Sequence, residues 1–294
     1  MIKIVKEISE KLNSVSEKPI LTTFIVLMLL ALVVVGLSLP YYISDFKNFY
    51  GQVLAEAHGM LFDIAVIGIL IFWLTKNGEK RQRIRMFKDE IDDFRLWESE
   101  EAAFRTTGNI KRLNRHGIHD INLVNCYLAR TNLSYIDLHN SNLNYANMEH
   151  ANLIECNMSG ARLNQTKLHC ANLNQADMSY SYASGADFSD SFLIKATFRS
   201  TYLIKADLSN AYLMEADLRD ADVNGANFTD ANLYKADFRG ANGLEVKQFD
   251  KVKSLYLAKF DPAFAAKLMK IYPGLLDGSE VEAKNNMIPQ PVIA

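Results

Sequence analysis

Apolar residues return at every fifth position from His116 to Asn242. The series runs Ile118, Leu123, Leu128, Leu133, Leu138, Leu143, Met148 and Leu153, and continues in step to Leu233 and Phe238, with an undersized Ala183 on the way. Two residues before each stands a small one, mostly Ala, Ser, Thr or Cys. A period of five matches neither the 3.6 of a helix nor the 2 of a strand. A fixed short period sustained this long marks a solenoid. A square coil satisfies it: the centre residue and the small residue point inward, and the other three point out. Large and small inward residues then alternate and fill a narrow tube. Coils stack at about 4.8 Å, and residues 20 apart share one face.

The pattern before the repeats is of another kind. Residues 19–44 carry no charge, and 20–39 reads ILTTFIVLMLLALVVVGLSL, long enough to span hydrocarbon. No small-x-small cleavage site follows, so it is not a signal peptide. A second apolar stretch ends in IAVIGILIFWLT, Ile64–Thr75; a full span reaches back to about Ala55 and includes Asp63. Glu56 and Asp63 lie seven apart and share a helix face. An intramembrane carboxylate is a functional candidate by default, with hydrogen bonding or protonation as the plainer reading. Basic residues gather before the first span and after the second, at Lys76, Lys80, Arg81, Arg83, Arg85 and Lys88. This predicts a helical hairpin with both chain ends cytoplasmic.

Between hairpin and repeats, 79–104 reads as a helix with one apolar stripe, Ile84, Phe87, Ile91 and Phe94. Its basic start suits anionic lipid headgroups. Thr106-Thr107-Gly108 is expected to break it, and a short helix then ends at Gly117 and closes the rod. After Gly243 the text reads as capping helices, VKQFDKVKSLYLAKF and DPAFAAKLMKIYPG, with Asp261-Pro262 as cap and first turn. The expected order is a lead segment 1–19, spans 20–39 and 55–75 around an external loop 40–54, a connector 76–115, repeats 116–245, capping helices 246–274 and a loose tail 275–294.

The unit A-(D/N)-L-x-x, plain in ADLRD-ADVNG-ANFTD-ANLYK-ADFRG, resembles the pentapeptide repeat. That resemblance implies an all-β solenoid, a right-handed quadrilateral β-helix with four pentads per coil. The whole layout is similar to bacterial membrane proteins with two transmembrane helices and a cytoplasmic pentapeptide-repeat domain.

Counting by 20 gives the outer faces. One carries Phe192, Ile194, Tyr212, Met214 and Tyr234 outward, an apolar patch beside a column of Glu155, Gln175, Lys195, Glu215 and Lys235. An apolar patch with a polar rim suits a protein partner, unless a terminal helix covers it. Another face stacks Arg199, Arg219 and Arg239, a candidate anion stripe, with Asp217 and Asp237 placed to neutralise it. A third is mildly acidic, with Glu149, Asp187, Asp190, Asp207 and Asp230. Tyr180, Tyr182 and Ala183 suggest a local bulge.

Net charge is −2, which argues against nucleic acid as partner. Cys126 and Cys156 hold inward positions and no C-x-x-C pair exists, so neither a metal site nor a disulfide framework is expected. His139, His150 and His169 occupy separate outward positions without an evident carboxylate partner. No phosphate loop, dinucleotide fingerprint or hydrolase elbow is present, so neither catalytic residues nor cofactors are expected. The first functional expectation is a non-enzymatic, membrane-anchored scaffold. A second is an oligomerising membrane effector, self-associating through its membrane helices or connector. A third follows from resemblance to pentapeptide proteins that mimic DNA and bind gyrase. Residues 116–245 hold 15 acidic and 9 basic residues, which is weak mimicry.

Overall fold

The structure, a computed structural model of the chain, describes residues 50–273, the backbone of 46–49, and before them Met28, Ala31, Leu32, Val35 and Gly36. The lead segment 1–19, most of the first span and the tail 275–294 lie outside the described residues. The chain divides into two units at Gly78 and Glu79, and each is described by itself.

The first unit is the apolar part of helix α1, Phe46–Asp93. Its apolar side chains are exposed around the whole circumference, among them Leu61, Phe62, Ile69 and Phe72. From Tyr50 it is long and apolar enough to cross a membrane by length and composition. Residues 46–54, expected in a loop, are its first turns. Nothing in FKNFYGQVLAE breaks a helix sharply, since Gly51 costs only about 1 kcal/mol.

In the second unit, the end of α1 and helix α2, Glu100–Arg115, close the start of the repeats. Phe87 and Ile91 of the predicted stripe are buried with Ile110, Leu113, Ile121 and Leu123. The helix break lies at residues 94–99, not at Thr106-Thr107-Gly108. Leu96 turns left-handed at φ 66°, and the Ser99 side chain accepts a bond from the Ala102 N–H at 3.1 Å, with Glu100 and Glu101 in the first turn. Thr106 and Thr107 are buried inside α2, so packing overrides their modest helix propensity. Gly117 ends α2 at φ 75°, as expected.

The repeats then run in register. In each pentad the residue before the centre forms a parallel bridge to its counterpart 20 residues on, from Asn122↔Asn142 to Asp222↔Asn242. Four pentads therefore close one coil. The residues after the centre make a β-turn, closed for example by Ala216 N–H donating to Leu213 C=O at 3.1 Å. The last residue of the turn is left-handed even where it is Tyr145, Lys195 or Glu215, a conformation non-glycine residues adopt at some cost. Every centre residue from Leu123 to Phe238 is fully buried. Among the inward hydroxyls, Thr166 Oγ1 donates to Leu143 O at 2.8 Å and Thr201 Oγ1 to Met178 O at 2.6 Å, whereas the buried Ser181 Oγ, two residues before Ala183, has no hydrogen-bond partner.

No bulge forms at Ala183. Tyr182 bridges both Arg162 and Tyr202 in unbroken register. Within the same coil Phe188 and Phe198 meet edge to face at 5.6 Å.

The far end departs from the expected helix. Gly243, at φ 73°, brings the chain so close to the Asn224 backbone that an added Cβ would lie 2.6 Å from Asn224 Cα. A 3-10 turn, Val246–Phe249, follows, and the coil then resumes with an interval of 22, Asn232↔Ser254 and Asp237↔Lys259. Helix α3, Pro262–Ile271, comes last, with the predicted Asp261 and Pro262 at its start. Asp261 Oδ2 accepts from the Gly240 N–H at 3.1 Å instead of capping α3 itself.

Candidate functional site

The bridge residue and the first turn residue of a pentad point to the same side, so each face carries two columns of outward side chains that can touch within a coil and between coils. On the predicted apolar face, Phe192 and Tyr212 stack at 5.1 Å and 5°, and Tyr234 stacks on Tyr256 at 5.9 Å. Lys253 lies over the Tyr212 ring and Lys235 over Tyr234 at 4.9 Å. In the neighbouring column Lys195 Nζ lies 3.8 Å from Glu215. Met214 is not exposed: flanked by Ile194 and Tyr234 one coil to either side, it is 4% accessible. Phe192, Ile194, Tyr212 and Tyr234 are half-buried. The face thus carries two aromatic stacks, with Lys235 and Lys253 over their rings. Among the described residues, Phe264 of α3 packs on Phe249 and Phe260 at the rod's end.

The arginine column is neutralised locally. Arg219 grips Asp217 with two bonds, Nε to Oδ1 at 2.7 Å and Nη2 to Oδ2 at 2.5 Å. Arg239 does the same to Asp237. Asp217 also lies 3.9 Å from Arg199, and Asp237 3.9 Å from Arg219, so acids and bases alternate up the face. The hydrogen bonds from Arg219 and Arg239 hold the Asp217 and Asp237 carboxyls below the usual range, against the opposing effect of partial burial. A depressed carboxyl stabilises the fold above its unfolded value of about 3.9 and loses that contribution as pH falls through the folded value. The unfolding midpoint of the second unit is therefore expected to fall below about pH 4. Asp217→Asn together with Asp237→Asn should flatten that fall; denaturant titrations at stepped pH check it.

His139 acquires the partner that the sequence left unseen. Its Nδ1 lies 2.8 Å from Asp137 Oδ1. His119 stacks beside it at 5.2 Å between ring centroids, with Nδ1 3.6 Å from Asp137 Oδ2. Partial burial raises the Asp137 carboxyl, but the His139 hydrogen bonds and both histidines together hold it lower than usual. His169 instead bonds Ser189 Oγ at 2.9 Å and meets the Cys170 thiol at 3.3 Å. Burial pushes the Cys126 thiol up to about 11 and raises Cys156 as well, so both are packing residues. Glu56 and Asp63 are exposed on α1.

The pentapeptide-repeat family model matches in overlapping copies over residues 121–242. Residues 121–242 are a pentapeptide-repeat domain. Its fold is the right-handed β-helix solenoid that the repeat implied. No curated protein matches the chain. Similar solved structures include a pentapeptide repeat protein of the Arabidopsis thaliana thylakoid lumen, 27% identical over 36% of this chain and 70% of that one, TM-score 0.28. Trypsin-treated QnrB1, a plasmid-mediated fluoroquinolone resistance protein, is 16% identical over 54% of this chain and 85% of its own, TM-score 0.28. HetL, involved in heterocyst differentiation regulation in Nostoc sp. strain PCC 7120, is 23% identical over 52% and 93%, TM-score 0.15.

Proposed function

We propose that the chain is a non-enzymatic, membrane-anchored scaffold whose pentapeptide-repeat rod presents the Phe192–Tyr212–Tyr234 face to a protein partner in the cytoplasm. The observation that carries the reading is the pair of aromatic stacks on this face. Most pentads place polar groups at these positions, whereas here Phe192, Ile194, Tyr212 and Tyr234 put apolar and aromatic groups, in two stacks, on one face beside Lys195, Lys235 and Lys253. Stacked aromatics lose little side-chain freedom on binding and dominate interface energetics. Helix α1 supports the anchor. A helix apolar on every side needs an apolar surround, and the basic run from Lys76 to Lys88 suits the cytoplasmic headgroup region. On this reading residues 20–39 make the other span and both chain ends are cytoplasmic.

Proximity labelling from the full chain in cells tests the scaffold. Tyr212→Asp is expected to remove the labelled partner while leaving far-UV circular dichroism unchanged. Unaltered labelling by the folded variant would take this face out of the function.

Asp63 favours a second reading, an effector that self-associates and permeabilises the membrane. It sits in the apolar stretch of α1, two turns from Glu56. Depolarisation of cells expressing the chain, altered by Asp63→Asn, would support it. A steady membrane potential at high expression would count against it.

A further inference from the structure

One outward column of the rod changes its chemistry along its length. The residues immediately after the centres on one face read His119, His139, Ser159, Ser179, Arg199, Arg219 and Arg239 at intervals of 20. The residues immediately before those centres include Asp137, Asp217 and Asp237. The same local geometry therefore recurs three times, with Asp137 bonded to His139, Asp217 to Arg219 and Asp237 to Arg239. At the far end the partner is a guanidinium, which can only donate. At the near end it is an imidazole, which carries a lone pair and can ligate a metal.

We propose that His119, Asp137 and His139 form a binding site for a first-row divalent cation of the zinc class, which staples the lead-in of the rod to its first coil. One ligand atom from each residue can be chosen so that all three lie within 4.8 Å of one another. Donors at tetrahedral angles around zinc, each about 2.0–2.1 Å from the metal, lie roughly 3.3 Å apart. The 3.6 Å between His119 Nδ1 and Asp137 Oδ2 meets this. The 2.8 Å bond between His139 Nδ1 and the other carboxylate oxygen, Asp137 Oδ1, opens by about half an ångström when the cation takes the Nδ1 lone pair; the Nδ1 proton goes to solvent and Nε2 takes one up, so His139 binds as the neutral tautomer.

An independent observation points the same way. His119 Nδ1 is shielded from solvent, yet it has no hydrogen-bond partner. A bound cation supplies one. The surrounding bonds hold the ligands in place. Asn114 Oδ1 accepts from the Asp137 N–H at 2.9 Å, and Ser141 Oγ donates to the His119 carbonyl at 2.6 Å. Two imidazoles and one carboxylate suit zinc, cobalt, nickel or copper better than magnesium or calcium, which prefer all-oxygen shells. The fourth position is left to water.

The test uses the full chain, purified without a histidine tag in detergent. Cobalt(II) is titrated and read by its visible absorption, and zinc affinity is measured by chelator competition. We expect saturation at a single equivalent, displacement of cobalt by zinc, and a zinc-dependent rise in the unfolding midpoint of the repeats. His119→Gln and His139→Gln should each weaken zinc binding by about tenfold or more and abolish the midpoint rise, while His150→Gln leaves both unchanged. His119→Ala, at the less constrained lead-in, replaces any variant that fails to fold. Absence of saturable binding at millimolar metal, or binding that survives in both His119→Gln and His139→Gln, would overturn the site.

Discussion

Leu213→Asp is expected to unfold the middle of the rod. Leu213 is fully buried, its N–H donates to Asn232 O at 2.9 Å, and it shares the inside of its coil with Leu203, Leu208 and Leu218. The change removes the apolar burial of a leucine and places a carboxyl among the apolar centres of its coil. The combined cost is on the order of 5 kcal/mol or more, comparable with the whole stability of many domains. Because each coil of a solenoid contacts only its neighbours, the damage should spread from this coil outward. Hydrogen exchange should rise first across residues 193–233. Leu257→Asp is the control, since Leu257 is 48% exposed in a left-handed turn that aspartate tolerates better than leucine. A stable, exchange-protected Leu213→Asp protein would mean that the assigned inward register is wrong.

The contrast between Leu213 and Leu257 shows what the amino-acid pattern could and could not reveal. Within the repeats every position has one environment, so the pentad rhythm alone places Leu213 inside and Tyr212 outside, and the interval of 20 stacks Arg219 on Arg239. The same interval links His119 to His139, and with Asp137 two residues before the latter this cluster was legible to anyone carrying the column back to the start of the rod. Ala183 was misleading because the register is held by bridges one coil away, Tyr182 to Arg162 and Tyr202, and not by the size of the local centre. After Gly243 the text VKSLYLAKF has helix-forming residues and only two large centres, Leu255 and Phe260. Its return to the coil depends on bridges to Asn232 and Asp237, which local propensity does not encode. The helix break at 94–99 was similarly hidden, because Thr106 and Thr107 look like breakers until their burial in α2 is known.

Phe249→Ala is expected to open the far end of the rod. The ring is fully buried and meets Phe228 and Phe238 at 5.7 Å each, Phe260 at 5.5 Å and Phe264 at 5.9 Å. It thus plugs the tube where the register shifts from 20 to 22, and joins the last full coil to α3. Truncating a buried phenylalanine costs about 3–5 kcal/mol, with the upper part of that range reached where the surround cannot collapse. Here the walls are backbone-bonded coils, so little collapse is available. The loss should be local, with exchange protection falling across 221–260 while 123–180 stays protected. An opened end also bares unpaired backbone edges and apolar core, the conditions for edge-to-edge association. The variant should therefore sediment as larger species than the wild type in the same detergent. Unchanged protection at 221–260 would show that the terminal coil and α3 hold without the plug, and would move the capping role to Phe260 and Phe264.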